Sequence, residues 1–255
     1  MSLDQIGPFS NEVYGSALLL SVIAGRDEKD AITFNQQTLQ YHEMLNEIKD
    51  VKVGISNELQ KLTPQPMKKE IEKISGRIKR LGWRLQNVEL KNVDLAIQTY
   101  YPLVYVEFFS ATRKYDGRRY GHKIEEVAGP EVLRRILGGS EISKAEYKGT
   151  YYRRALKARE AIAKSFNEAF KKVDIILCAT VPRTPHNIGS NITPEEMYSY
   201  DALTIPANLA GICAISIPLT KIDGLPVGLQ IMAPAFAEAR MFQVAEQIER
   251  LLKNI

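Results

Sequence analysis

The chain has 255 residues, a formal charge of +4, 45% hydrophobic and 25% charged residues, the composition of a globular protein and too apolar for a disordered one. Two cysteines, Cys178 and Cys213, exclude a disulfide-stapled secreted scaffold and a four-cysteine zinc site, so a reducing, cytoplasmic location is the default expectation. At about 150 residues per domain the length admits one large domain or two small ones, and the charge is too thin for unaided nucleic-acid binding, leaving RNA contact within an assembly open.

Residues 1–10 carry Asp4 and Pro8 and lack a positive stretch followed by an apolar core, so no signal peptide is expected. After Gly7-Pro8, Val13, Ala17, Leu18, Leu20 and Ile23 recur at helical spacing, with Gly25 as a cap. A second helix is expected over 37–49. Val51, Val53 and Ile55 make a short β-branched strand, and 66–81 carries Ile71, Ile74 and Ile78 among charges, a solvated helix with one apolar stripe ended by Gly82. Alternation over 83–90 suggests another strand, making 51–90 a strand–helix–strand unit with parallel strands.

From 93 to 170 the pattern is helical, with breaks expected at Tyr115-Asp116-Gly117, Gly129-Pro130 and Gly138-Gly139. The apolar runs 174–179, 214–218 and 228–231 read as core strands, and 236–252 as a closing helix. The uncharged stretch 202–219 nears bilayer-spanning length, but Thr204, Pro206, Asn208, Ser216 and Pro218 make it a buried strand and turn rather than a membrane span. The class is α/β, and without repeats, low-complexity tracts or a linker the expectation is one domain over 1–255.

Common chemistries find no foothold. His42, His122 and His186 form no ligand-spaced pair, so no metal site is expected, and Gly138-Gly139-Ser140 lacks the spacing of a phosphate loop. No Ser sits in G-x-S-x-G, and Cys213, inside an apolar run, reads as a small hydrophobe. Three polar features remain: Arg134-Arg135, Asp201 and the pair Tyr100-Tyr101. Each has a plain alternative in a surface salt bridge, a turn or N-cap, and core packing respectively.

The opening Leu3-Asp4-Gln5-Ile6-Gly7-Pro8-Phe9, with the helix from Ala17 through Asp27, resembles the segment that follows the catalytic core in the amidase signature family. The block Asp201-Ala202-Leu203-Thr204-Ile205-Pro206-Ala207-Asn208-Leu209-Ala210-Gly211, continued by Ala214-Ile215-Ser216-Ile217-Pro218 and Gly224-Leu225-Pro226-Val227-Gly228-Leu229-Gln230, is similar to that family's C-terminal hallmark. Three further stretches resemble its glutaminase branch, found in tRNA-dependent amidotransferases: Thr99-Tyr100-Tyr101 with Glu107, Tyr115-Asp116-Gly117-Arg118-Arg119-Tyr120-Gly121, and Arg134-Arg135-Ile136-Leu137-Gly138-Gly139. Cys213 stands where the pattern has proline, and Ser10-Asn11-Glu12 lacks the basic residue that often follows Gly-Pro-Phe.

The resemblance implies a mixed β-sheet flanked by helices and hydrolysis of glutamine to supply ammonia for amidating Glu-tRNA(Gln) or Asp-tRNA(Asn). It implies a Ser-Ser-Lys triad, a logical set because neutral lysine draws the nucleophile's proton through a bridging hydroxyl. In full-length members the triad precedes Leu-Asp-Gln-Ile-Gly-Pro, so the chain is expected to be the C-terminal half and inactive alone. Its part is substrate recognition, with Arg135 or Arg134 on the α-carboxylate, Asp201 on the α-ammonium, and Tyr101 or Tyr100 lining the pocket. Consecutive helical residues point about 100° apart, so one arginine faces the pocket, and Arg135 is favoured. Implied partners are the B and C subunits of the amidotransferase, glutamine and misacylated tRNA, with ATP and Mg used by the partner B subunit and no cofactor held here. The alternatives are a stand-alone amidase of the same family, and a non-catalytic module docking to the partner subunits.

Overall fold

Strands β1 (Lys52–Ser56), β2 (Arg84–Val88), β3 (Ile175–Ala179), β4 (Cys213–Ile222) and β5 (Leu225–Ala233) form one five-stranded sheet in the order β2-β1-β3-β5-β4. This computed structural model describes residues 2–253, so Met1, Asn254 and Ile255, and with them the two ends of the 1–255 span, lie outside the described residues. The order follows from burial: all five residues of β3 (Ile-Ile-Leu-Cys-Ala) are buried, and such a strand is stable only with helices or strands on every side. β3 runs parallel to β1 and antiparallel to β5, so the sheet is mixed.

β1 and β2 pair in parallel, Lys52 opposite Arg84, and the crossover between them carries α2 (Asn57–Lys61) and α3 (Met67–Ile78). Ser56 caps α2 by accepting from the Glu58 and Leu59 N–H groups, and α3 buries Met67, Ile71, Ile74 and Ile78 along one stripe. β4 and β5 form a hairpin around Asp223-Gly224, whose φ angles of 52° and 79° are both positive. A two-residue turn of that kind matches the twist of its strands. The apolar runs 214–218 and 228–231 are thus only the middle of two longer strands.

The helical layer consists of α1 (Val13–Ile23), α4 (Ala96–Thr112), α5 (Ile124–Val127), α6 (Pro130–Ile142), α7 (Thr150–Phe170), α8 (Pro194–Ser199), α9 (Ile205–Ala210) and α10 (Glu238–Lys253). Three expectations are corrected. The helix over 37–49 is only a 3-10 turn, Tyr41–Met44, because its backbone groups are held by distant side chains: Tyr41 N–H donates to Ser21 Oγ at 2.9 Å and Met44 O accepts from Gln243 Nε2 at 2.9 Å. The stretch 202–219 begins with α9, not a strand, because Pro206 suits a first helical turn and Gly211, at φ 66°, ends it.

The break at Gly138-Gly139 is absent: α6 runs through it. These glycines sit where α6 crosses α4. A Cβ on Gly139 would collide with the Tyr105 backbone oxygen and lie 2.6 Å from Phe109 Cβ, so close helix approach, not a turn, accounts for the pair. No helix among the described residues is long and apolar enough to cross a membrane.

Candidate functional site

The site forms where α6 packs on α4 and the segment from α8 to residue 201 reaches α4. Tyr101 and Tyr105 are one turn apart on α4 and so share a face. α8 is fixed by a capping box in which Thr193 accepts from Glu196 N–H and the Glu196 carboxylate accepts from Thr193 N–H. It delivers Tyr198, and the 3-10 turn that follows, Tyr200–Ala202, delivers Asp201. Buried Gln230 of β5 ties this segment to the sheet by donating to Leu203 O at 2.7 Å.

Tyr101 donates its hydroxyl to Asp201 Oδ2 at 2.9 Å. Burial, then that carboxylate, raises its pKa well above the ordinary phenol value. Tyr100 meets Tyr101 edge-on at 5.2 Å; burial raises its pKa too, with Arg135 opposing and Asp201 reinforcing. Both tyrosines therefore lie within electrostatic reach of the Arg135 cation and the Asp201 carboxylate.

α6 supplies the cation. Pro130 starts the helix and Glu131 in its first turn complements the helix dipole. Spacing of three and four residues then places both arginines over the same carboxylate: Arg134 donates to Glu131 Oε2 at 2.7 Å and Arg135 Nε to Oε1 at 3.1 Å. Arg135 is the less exposed, at 32% against 45%. Burial pulls its pKa down, but the Glu131 hydrogen bond and charge outweigh that and raise it. Its two terminal nitrogens hold no partner among the described residues, and they form the edge that binds a carboxylate bidentately.

The N-terminal segment closes one side. Glu107 accepts from Ser2 N–H and Oγ–H, both at 2.6 Å, and Arg159 donates to Ser2 Oγ at 3.1 Å. Leu3 is buried as a result, and Asp4 comes within electrostatic reach of Tyr100.

All five residues singled out in the sequence, Tyr100, Tyr101, Arg134, Arg135 and Asp201, gather here. Tyr101 rather than Tyr100 bonds Asp201; of the two arginines, Arg135 acts on Tyr100 and Tyr101, and Arg134 on Tyr198 and Tyr105. Sequence reasoning missed Glu131, Tyr105, Tyr198 and Gln230. Glu131 carried a signal in its spacing to both arginines, Tyr105 in its spacing of four from Tyr101, and Gln230 in the block 224–230; Tyr198 carried none, since its contacts join distant segments. Among the described residues no three His, Cys, Asp or Glu side chains group as metal ligands. Burial pushes the thiols of Cys178 and Cys213 up to about 12, so both stay protonated at neutral pH.

The chain belongs to the amidase signature family: the Amidase family model matches residues 1–242. It is 45% identical to the A subunit of glutamyl-tRNA(Gln) amidotransferase from Methanocaldococcus jannaschii over 99% of this chain and 57% of that protein. The likeness to the protein of the same name from Methanobrevibacter smithii is 44% over 98% of this chain and 55% of that one. The crystal structure of the corresponding A subunit from Thermotoga maritima superimposes with a TM-score of 0.78 at 33% identity, over 98% of this chain and 53% of that one. The chain thus spans somewhat more than half the length of the curated relatives it matches.

Proposed function

We propose that this chain forms the amino-acid-recognising part of a glutamine-hydrolysing subunit of a tRNA-dependent amidotransferase. One observation carries the reading: a guanidinium with an open terminal edge and a carboxylate converge on Tyr101, the pairing that a free α-amino acid demands. The Arg135 edge takes the α-carboxylate and Asp201 the α-ammonium, with the Tyr101 hydroxyl holding Asp201 in place. That leaves the side-chain carboxamide of glutamine pointing away from the charged groups, toward a nucleophile.

In this reading the Ser-Ser-Lys nucleophile set is supplied by sequence outside the chain, and the isolated chain binds glutamine without hydrolysing it. Ammonia released in the complete subunit passes to the B subunit, which uses ATP and Mg to amidate misacylated tRNA, with the C subunit completing a cytoplasmic assembly. The shared name of the two curated relatives and the Thermotoga maritima structure supports this placement.

Substitution tests it. Removing one partner of a desolvated charge contact costs about 2–5 kcal/mol, so Arg135→Ala and Asp201→Ala should each weaken L-glutamine binding by that amount. Arg134→Ala should change it by less than about 1 kcal/mol, as for an exposed ion pair. Unchanged glutamine affinity in both Arg135→Ala and Asp201→Ala would refute the assignment and favour an amidase acting on another amide, and ammonia release by the purified chain would refute its inactivity.

A further inference from the structure

Glu131 and Tyr198 have no part in the pocket as proposed, yet they lie between its two charged ends. The Glu131 carboxylate only accepts, so the hydroxyl order is fixed: Tyr105 donates to Tyr198 at 2.8 Å and Tyr198 donates to Glu131 Oε1 at 3.2 Å. The same Oε1 accepts from Arg135 Nε. The Tyr198 ring in turn lies against the Tyr101 ring, centroids 4.1 Å apart and tilted by 33°. A continuous path therefore runs from Arg135 through Glu131, Tyr198 and Tyr101 to Asp201.

We infer that Glu131 and Tyr198 are positioning residues that set the spacing between the Arg135 edge and Asp201, and so select a zwitterionic amino acid over a simple carboxamide. Three features support this. First, Nε of Arg135 is the atom engaged by Glu131, which leaves the edge formed by its two terminal nitrogens for a carboxylate. Second, Glu131 accepts from both adjacent guanidiniums, Arg134 at 2.7 Å and Arg135 at 3.1 Å, so one carboxylate ties the arginine pair to the first turn of α6. Third, the Tyr101 and Tyr198 rings, tilted against each other, are planar spacers with few rotatable bonds, so the distance between the charged ends is held by packing.

The inference rests on the pocket proposed above, and the test separates the two. Glu131→Gln adds a net positive charge, which confounds positioning with attraction, so the variants are Glu131→Asp and Tyr198→Phe, which keep the charge. Glu131→Asp shortens the carboxylate so that it no longer spans Arg134, Arg135 and Tyr198; Tyr198→Phe keeps the ring contact and removes only the hydroxyl. The probes are L-glutamine and γ-aminobutyramide, the same molecule without its α-carboxylate, followed by NMR titration of the chain.

Each variant should weaken L-glutamine by about tenfold while leaving γ-aminobutyramide within about twofold, because only the carboxylate feels a misplaced guanidinium. A merely structural role would weaken both probes alike. Wild-type preference for L-glutamine with the ratio unchanged in both variants overturns the positioning role and leaves the pocket standing. Equal wild-type affinity for the two probes, or none for either, overturns the pocket and this inference together. Should Glu131→Asp unfold the protein, Tyr198→Phe alone decides.

Discussion

Tyr101 is 9% exposed and hydrogen-bonded to a carboxylate, and Cys178 is 4% exposed with its thiol held up at about 12. Both groups keep their protons in the folded chain at pH values where the unfolded chain has lost them. The sign follows: a raised folded pKa means that native protein binds more protons above the unfolded value, so stability falls as pH rises. For Cys178 the window runs from the ordinary thiol value of 9.0 to about 12, and Tyr101 adds to the loss above 10.0. Each group contributes about 1.4 kcal/mol per pH unit inside its window. Urea midpoints should be flat from pH 7 to 8.5 and fall steeply beyond pH 9.5 or so; a flat profile to pH 10.5 would contradict the burial of both groups. At this scale Arg135, Asp201 and Tyr101 were legible because short motifs carry them. Tyr198 was not, since its hydroxyl contact with Tyr105 joins residues 93 apart in the chain and leaves no local spacing to read.

α6 and α3 each contain glycine inside a helix, and the two have opposite meanings. Gly139 is buried where α6 meets the α4 backbone, whereas a Cβ on Gly76 of α3 would meet nothing within 4 Å. Alanine is favoured over glycine in a helix by about 1 kcal/mol, so Gly76→Ala should stabilise by roughly that amount. Gly139→Ala gains the same propensity but forces α6 off α4, a net loss of about 3 kcal/mol. Chemical denaturation of both variants checks the pair. Equal effects would mean that the helices do not cross closely at Gly139. Sequence pattern alone reads Gly138-Gly139 as a break and passes over Gly76 inside its helix. The same limit hides the Asp223-Gly224 hairpin's full strand length, where Thr220, Lys221 and Pro226 interrupt the apolar pattern although the backbone ladder continues through them. It also makes a helix of 37–49, where a favourable composition is overridden by tertiary hydrogen bonds from Ser21 and Gln243.

The molecule as a whole leaves large apolar side chains in water around α1. Phe9 is 97% exposed, Ile6 90% and Val22 75%, and Leu18, Leu19 and Ile23 are also exposed. α1 is apolar on nearly all sides, the pattern of a helix covered all round, yet only Val13 and Ala17 are buried. Large apolar side chains left in water favour association. The isolated chain should therefore self-associate with rising concentration in sedimentation and enhance the fluorescence of an apolar dye, both reduced by Val22→Lys with Phe9→Lys; a monodisperse chain without dye binding would show that this face is not sticky. Composition could certify a globular α/β chain, because burial and alternation are averaged over many residues. It could not locate an uncovered face, which depends on where elements sit relative to one another.

Calorimetric titration of the chain with three ligands tests most directly whether Arg135 and Asp201 together read the two charges of a free amino acid. L-Glutamine should bind at least about tenfold more tightly than γ-aminobutyramide, which lacks the carboxylate, and than glutaramate, which lacks the amine, since each analogue forfeits one of the two charge-assisted contacts. Equal affinity for all three ligands, or no binding of L-glutamine at millimolar concentration, would contradict that reading.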